Sequence, residues 1–584
     1  MPVQTRSTTS RAATVPGSAA LPSRRFSRWS LALESAAVFA LGVTLMHLVY
    51  DGQTGVPGHD SFYHVRMALL MPEHGLLREL PWLKFVYFTR EGHAFVNHHY
   101  GFQLLLAPFV KGAQVWTGDA LAGARLAMVV FHGLTLVMIN LILRAVGARW
   151  RWIWWIVYVL LPFQFFVRHA YVRAIGLSLA CMMAIVWCLV RERRVLLAIV
   201  IAAYIHIYLG GVLYAPVLVG LFVLGGGLGT RQERRSAWRI ALWSAAGWIV
   251  GLITHPYAGG VFEFLRLQVF GSGLTPDIPV GREWKPYQGV WWFARMSGVI
   301  LVVWTIALLA RLRTGPNLKP AEWAITAVHF VFLGLTFKAR RFIEYWPAFA
   351  LLSSAVLASP LLARWDDRLG RLLHGRRPSV RTVRSAGAVL ATISALAVAA
   401  WSPMWDQIRR SVRSPYDLLP IRDAMTFLQS HSRPGDVVFT DDWDIFPVYF
   451  YFNAHNHYIV GLDPKFTESR RPMLWARYVK ISRGEVPADV TVRTEATEEG
   501  NPSSRKTIHV TLDDIRTHFG ARFVITDCDH KKLARKLARR PDLAELIYPG
   551  TNFEKVRDEP YLIFRIRKAE RTTEQAAAAR SASP

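Results

Sequence analysis

The chain has 584 residues, of which 52% are hydrophobic and only 19% charged, and its 69 basic against 41 acidic side chains give a formal net charge of +28. A soluble chain of this length carries about 25% charge and divides into several domains of roughly 150 residues. The long apolar runs exclude that reading, and the basic residues fall in short clusters between them rather than in one stripe. That pattern excludes a nucleic-acid partner and points to a polytopic membrane protein.

Residues 1–29 are rich in Ser, Ala and Arg and are expected to be disordered. Residues 31–50 are apolar over about the 20 residues a bilayer needs. No small-residue cleavage site follows, so they read as a retained first span in spite of Glu34. Further apolar runs lie at about 121–143, 152–167, 174–190, 195–209, 212–228, 237–254, 290–310, 321–337, 342–362 and 385–401. The run 101–116 is decided by the positive-inside rule. If it crosses, the clusters at 144–151, 191–194, 231–239, 311–319 and 364–384 all move outside. If it lies along the interface as an amphipathic segment, all of them stay inside. The second choice gives about eleven spans within a membrane domain at 30–401. It puts the loops 51–120 and 255–289 and everything after about 402 on the outer face, for a multi-pass protein of the cell (inner) membrane.

From about 402 the pattern changes. Short apolar runs at 437–439, 448–452, 523–526 and 561–566 alternate with helical patterns at 423–431 and 531–540, which reads as a soluble α/β domain over 402–568. The tail 569–584 is rich in Ala and Ser and is expected to be disordered. Three cysteines, Cys181, Cys188 and Cys528, are too few for a disulfide framework.

The residues able to carry chemistry sit mainly in the outer segments. Asp60 follows the first span, with His59, Tyr63, His64 and Arg66 around it. A carboxylate at that level fits a cation ligand, a general base or a plain N-cap for a helix at 62–70. His98 and His99 end the same loop; as neighbours they diverge on a helix, which favours hydrogen bonding over joint metal ligation. Arg168, His169, Tyr171 and Arg173 occupy one outer turn, and Lys338, Arg340, Arg341 and Glu344 another. Basic residues at outer ends run against the topology bias. Anion binding by guanidinium forks and snorkelling to head groups account for them equally well, and Glu344 is spaced to pair with Arg340 and Arg341. The Gly- and Pro-rich loop 255–289 offers Asp277 and Glu283. In the C-terminal domain Asp441, Asp442, Trp443 and Asp444 follow the apolar strand 437–439, where carboxylates commonly mark a site or serve a turn.

Together these segments resemble a known family. His59-Asp60-Ser61-Phe62-Tyr63-His64-Val65-Arg66 is similar to the Asp-Pro-Tyr-Tyr-His-Leu-Arg segment of the archaeal-type oligosaccharyltransferase catalytic subunit, a GT-C class membrane glycosyltransferase. Residues 438–444 resemble the strand entering that family's Trp-Trp-Asp-Tyr-Gly motif, 458–463 its downstream strand ending in Asp, and Arg340-Arg341-Phe342 with Pro347 its late arginine segment. Two departures stand out. The Trp-Trp-Asp-Tyr-Gly positions read Asp442-Trp443-Asp444-Ile445-Phe446, and the family's second acidic motif is replaced by Arg168-His169-Ala170-Tyr171-Val172-Arg173.

The resemblance implies a GT-C-like fold and transfer of a sugar or oligosaccharide from a polyprenyl-(pyro)phosphate carrier to an acceptor protein or glycan on the outer face. It implies Asp60 as the catalytic carboxylate, and Arg66, Arg340 and Arg341, supported by His98 and His99, at the donor phosphate. Trp443 and Asp444 fall at the acceptor. The missing acidic motif leaves two readings open: a metal-independent enzyme, as some GT-C enzymes using monophosphate lipids are, or a Mn²⁺ or Mg²⁺ site assembled from Asp60 with Asp277 or Glu283. The same fold acting on a lipid or cell-wall glycan acceptor with a polyprenyl-phosphate monosaccharide donor is the competing enzyme reading, and a lipid or solute transporter the competing class. An enzyme should gather Asp60, the 255–289 loop and Arg341 on one outer-face cavity; a transporter should line a path to the bilayer midplane.

Overall fold

A computed structural model describes residues 24–86, 95–274, 281–315, 317–372, parts of 387–399, 402–413, 418–494 and 504–568. Its N-terminal two thirds are helical. Among the described residues six helices are long and apolar enough to cross a membrane: Leu31–Val49, Ala120–Ala145, Arg231–Ile253, Val290–Thr314, Pro320–Lys338 and Trp346–Leu369. The bent pair Arg151–Val159 and Phe163–Ala170 makes a seventh if counted as one span. Ile175–Val190, Arg194–Ile207 and Gly211–Gly227 are apolar but shorter. The expected count of about eleven therefore holds only in part, and its last span, 385–401, lies partly outside the described residues. Helix Tyr100–Thr117 is not among the candidates. Val290–Thr314 exposes Val299, Val302, Ile306 and Leu309 along one face, as a lipid-facing helix does. The chain is a membrane protein.

Glu34 in the first span has a local explanation. It accepts from Asn140 at 3.0 Å and from Arg151 at 2.9 and 3.0 Å, and it also pairs with Arg144. The intramembrane acid thus ties three helices together at one end of the bundle. The bend in the pair 151–170, 79°, falls at Pro162, whose ring and missing N–H end the first helix. The second helix then leaves at a steep angle and brings residues 168–173 over the end of the bundle.

The C-terminal domain is the α/β unit expected from the strand runs. Its five-stranded sheet has the order β2-β1-β5-β7-β6, with β1 Val437–Thr440, β2 His457–Tyr458, β5 Phe523–Asp527, β6 Ala544–Tyr548 and β7 Tyr561–Ile566. β2, β1 and β5 run parallel and β7 is antiparallel to its neighbours. β3 Ala488–Thr494 and β4 Ser504–Val510 form a separate hairpin. Val438, Phe439, Val524 and Ile525 are fully buried, as parallel strands covered on both faces require.

The segment that follows the first span adds to this sheet. Trp82 O accepts from Tyr458 N at 2.7 Å, Lys84 N donates to Tyr458 O at 2.8 Å and Phe85 N donates to Ile459 O at 3.1 Å. Helix Phe446–Phe452 packs on helix His59–His74 through Phe62 against Tyr451 and Tyr63 against Phe450. This aromatic seam fixes where the loop between β1 and helix Phe446–Phe452 meets the end of the helical bundle.

Candidate active site

Asp60 lies in the first turn of helix His59–His74, and Gly58 is the N-cap. The N-cap reading of Asp60 is thereby replaced. Gly58 has φ 73°, and a side chain there would meet the Tyr171 ring at 3.3 Å. Ser61 Oγ accepts from Val172 N at 3.0 Å, which locks this helix start to the turn 168–173. Asp60 Oδ2 pairs with Arg173 Nη2 at 2.6 Å while its side chain stays 42% exposed.

Arg168 and Arg173, standing where the resembling family has acids, are part of one ionic network. Glu283 accepts from Arg168 at 2.6 Å and Arg173 at 3.1 Å, and it faces Arg341 at 3.6 Å. Arg168 also holds Glu344, 2% exposed, at 2.8 Å. Burial alone would raise the Glu283 carboxyl, but the guanidinium groups of Arg168, Arg173 and Arg341 hold it well below the usual carboxylate range. Tyr171 lies between Arg168 and Arg173, its ring 5.4 and 5.3 Å from them, and Arg341 stacks on Trp284 at 4.1 Å. The expected pairing of Glu344 with Arg340 and Arg341 is not made; Glu344 turns to Arg168.

These groups line a single cavity of about 700 Å³. The helical wall supplies Asp60, Arg168, Arg173, Glu283, Trp284, Lys338 and Arg341, and the C-terminal domain supplies Trp443, Asp444 and Asp463. His59 Nδ1 approaches Asp444 Oδ1 at 3.4 Å across the mouth. His64, His98 and His99 form the floor. Asn97 donates to Gln103 at 2.6 Å, and Gln103 donates to His64 Nδ1 at 3.1 Å, so the proton of His64 sits on Nε2. The His99 ring stacks on Tyr208 at 5.0 Å and the His98 ring packs on Phe264 at 4.7 Å. Burial first, then the neighbouring histidine and arginine charges, pushes His98 down to about 3, and burial with Arg173 does the same to His64. The floor is made of neutral imidazoles, and His99 Nδ1 is buried without a hydrogen-bond partner among the described residues, so the hydrogen bonds expected of that ring are not all made.

The two other arginines named from the sequence lie elsewhere. Arg66 follows Asp60 by six residues, a rotation of about 240° on a helix. It does not line the cavity, and it lies near Tyr451, Glu73 and Tyr458. Arg340 and Arg341 are consecutive in a 3₁₀ turn, so they point apart. Arg340 donates to the Lys285 carbonyl at 3.3 Å, outside the cavity lining, and only Arg341 turns in. Arg168 and Arg173 were legible as anion binders, but nothing in their spacing distinguished that from snorkelling.

The expected cation ligands do not fit an ion as they stand. Asp60 and Glu283 each have guanidinium partners, and among the described residues no third acid joins them in a ligand group. Asp277 lies outside the described residues.

The architecture is the GT-C-like one implied by the sequence resemblance. Among solved structures the chain is similar to the Archaeoglobus fulgidus oligosaccharyltransferase AglB in complex with an inhibitory peptide and a dolichol-phosphate. The TM-score is 0.58 at 13% identity, covering 93% of this chain and 75% of that one. It is also similar to an Archaeoglobus fulgidus oligosaccharyltransferase in complex with Zn and sulfate, with a TM-score of 0.55 at 13% identity over 85% and 68% of the two chains. At that identity the likeness establishes the fold. No protein-family model and no curated protein matches the chain.

Proposed function

We propose that the protein is a membrane glycosyltransferase that moves a sugar or oligosaccharide from a polyprenyl-(pyro)phosphate carrier to an acceptor on the outer face of the cell membrane. The observation that carries this reading is the convergence of Asp60, Glu283, Trp284, Arg168, Arg173 and Arg341 on one cavity. Its charged lining groups come from helix ends and loops rather than from the middle of spans, which favours an enzyme over a transporter. The archaeal structure in complex with a dolichol-phosphate supports a lipid-phosphate donor.

Arg168, Arg173 and Arg341 bind the donor phosphate. As the bond between the anomeric carbon and the phosphate oxygen breaks, charge grows on that oxygen, and fixed guanidinium groups in a secluded site stabilise it. The acceptor nucleophile attacks the anomeric carbon, and its proton passes to Asp60, whose orientation is set by Arg173. Trp443 and Asp444 position the acceptor from the opposite wall. A lipid or cell-wall glycan acceptor is favoured as a second reading by residues 442–446, which depart from the motif that reads a peptide in the resembling family.

The test is incubation of purified protein with lipid-linked sugars, with and without Mn²⁺ or Mg²⁺, scoring release of the carrier. Release by wild type and its loss in Asp60→Ala, with insertion and folding intact, supports the reading. Near-normal release by Asp60→Ala contradicts it.

A further inference from the structure

A second ionic cluster lies in the C-terminal domain, at the carboxyl ends of adjacent parallel strands. Asp441 follows β1, Asp527 ends β5, and His530 directly precedes helix Lys531–Ala538. Parallel pairing of β1 with β5, in register from Val438 opposite Phe523 to Thr440 opposite Ile525, sets the two carboxylates side by side. His530 Nδ1 lies 2.8 Å from Asp527 Oδ1 and 3.3 Å from Asp441 Oδ2. One donor atom from each of the three residues falls within 4.8 Å of the others. An ion with bonds of about 2.1 Å holds neighbouring donors about 3.0–3.4 Å apart, so the 3.3 Å separation fits as it stands and the 2.8 Å one has only to open slightly.

Two further features mark the place as a ligand site rather than a turn. Asp441 is 1% exposed, yet its Oδ1 has no hydrogen-bond partner among the described residues. The hydroxyl of Tyr449, fully buried, is likewise without a partner, and it lies within reach of the charges of Asp441 and Asp527. Buried polar atoms are almost always satisfied, and an unmodified carboxylate oxygen left bare at this depth is costly.

We propose that Asp441, Asp527 and His530 form a binding site for a divalent transition-metal ion, with Zn²⁺ as the best match to an imidazole and two carboxylates. The ion pins the loop 441–445 to the end of the sheet. That loop carries Trp443 and Asp444 into the cavity wall, so the site sets their position from outside the cavity. The site is independent of the donor chemistry proposed above.

The experiment uses full-length protein in detergent, stripped with EDTA, desalted and titrated with Zn²⁺. Bound zinc is counted by mass spectrometry and thermal unfolding is followed in parallel. The expected result is one Zn²⁺ per chain with a raised melting temperature for wild type and for Cys528→Ser, which removes the adjacent exposed thiol. Asp527→Asn and His530→Gln should each lose the ion and the zinc-induced rise in melting temperature, each read against its own stripped form. His530 is partly exposed, so His530→Gln keeps the test valid if Asp527→Asn fails to fold. Equal zinc uptake by wild type and His530→Gln, loss of zinc in Cys528→Ser alone, or no uptake by wild type overturns the proposal.

Discussion

The cavity and the sheet end are both clusters of acidic and basic side chains, and they differ in which base holds the acids. In the cavity one carboxylate, Glu283, is surrounded by Arg168, Arg173 and Arg341. At the sheet end one imidazole, His530, stands between Asp441 and Asp527. Arg173 and Arg168 also hold Asp60 and Glu344, so three guanidiniums meet three carboxylates, and Arg341, with the longest approach to Glu283, is the one best placed to turn to an anionic ligand such as a phosphate. The sheet end has anionic capacity beyond its own base and suits a cation. A resemblance that places a metal at Asp60 therefore meets arginines there, and the donor set suited to a metal lies in the other domain.

The largest effect that sharpens this contrast is on chemistry. Asp60→Asn should lower the rate of carrier release by about 10²–10⁴-fold, the usual contribution of a positioned acid–base group, with unchanged thermal stability. Next is the network beneath it. Arg168→Met leaves buried Glu344 without its partner and is expected to cost about 3–5 kcal/mol of stability, seen as a large drop in melting temperature. Arg341→Ala, whose contacts are the longer approach to Glu283 and the stack on Trp284, should be milder for folding and should mainly raise KM for the donor. If Arg341→Ala leaves KM unchanged and Arg168→Met melts like wild type, the cavity is not the cationic cradle described.

Acidity separates the two regions further. Glu283 has a depressed carboxyl, so its contribution to stability is fully present above the ordinary carboxylate range and is lost only as pH falls well below it. The difference in melting temperature between wild type and Glu283→Gln should therefore stay flat from pH 8 to pH 5 and shrink only in stronger acid. The smallest effect concerns ions: Mn²⁺ or Mg²⁺ should leave donor release unaltered, because guanidinium groups occupy the carboxylates those ions would use.

Much of this was legible in the residues. Apolar runs marked most of the spans, and alternating short runs marked the α/β domain, because both patterns follow from burial alone. Asp60 and Arg341 were singled out by their place just outside apolar runs, and the cavity holds both. Arg66 and Arg340 could not be excluded from sequence, since their exclusion depends on helical phase and on the tightness of a 3₁₀ turn. The partners of Glu283 and Glu344 were hidden for a different reason. They come from a turn more than a hundred residues upstream, aimed by the bend at Pro162. The Asp441–Asp527–His530 cluster depends on which strands pair, and single-sequence patterns do not fix strand order.

The most direct test of the central claim is carrier release from a polyprenyl-linked sugar, measured in one preparation for wild type, Asp60→Asn and Arg173→Ala. The account predicts release by wild type, almost none by Asp60→Asn, and a strongly reduced rate for Arg173→Ala, with all three melting cooperatively. Equal release by wild type and Asp60→Asn would contradict it.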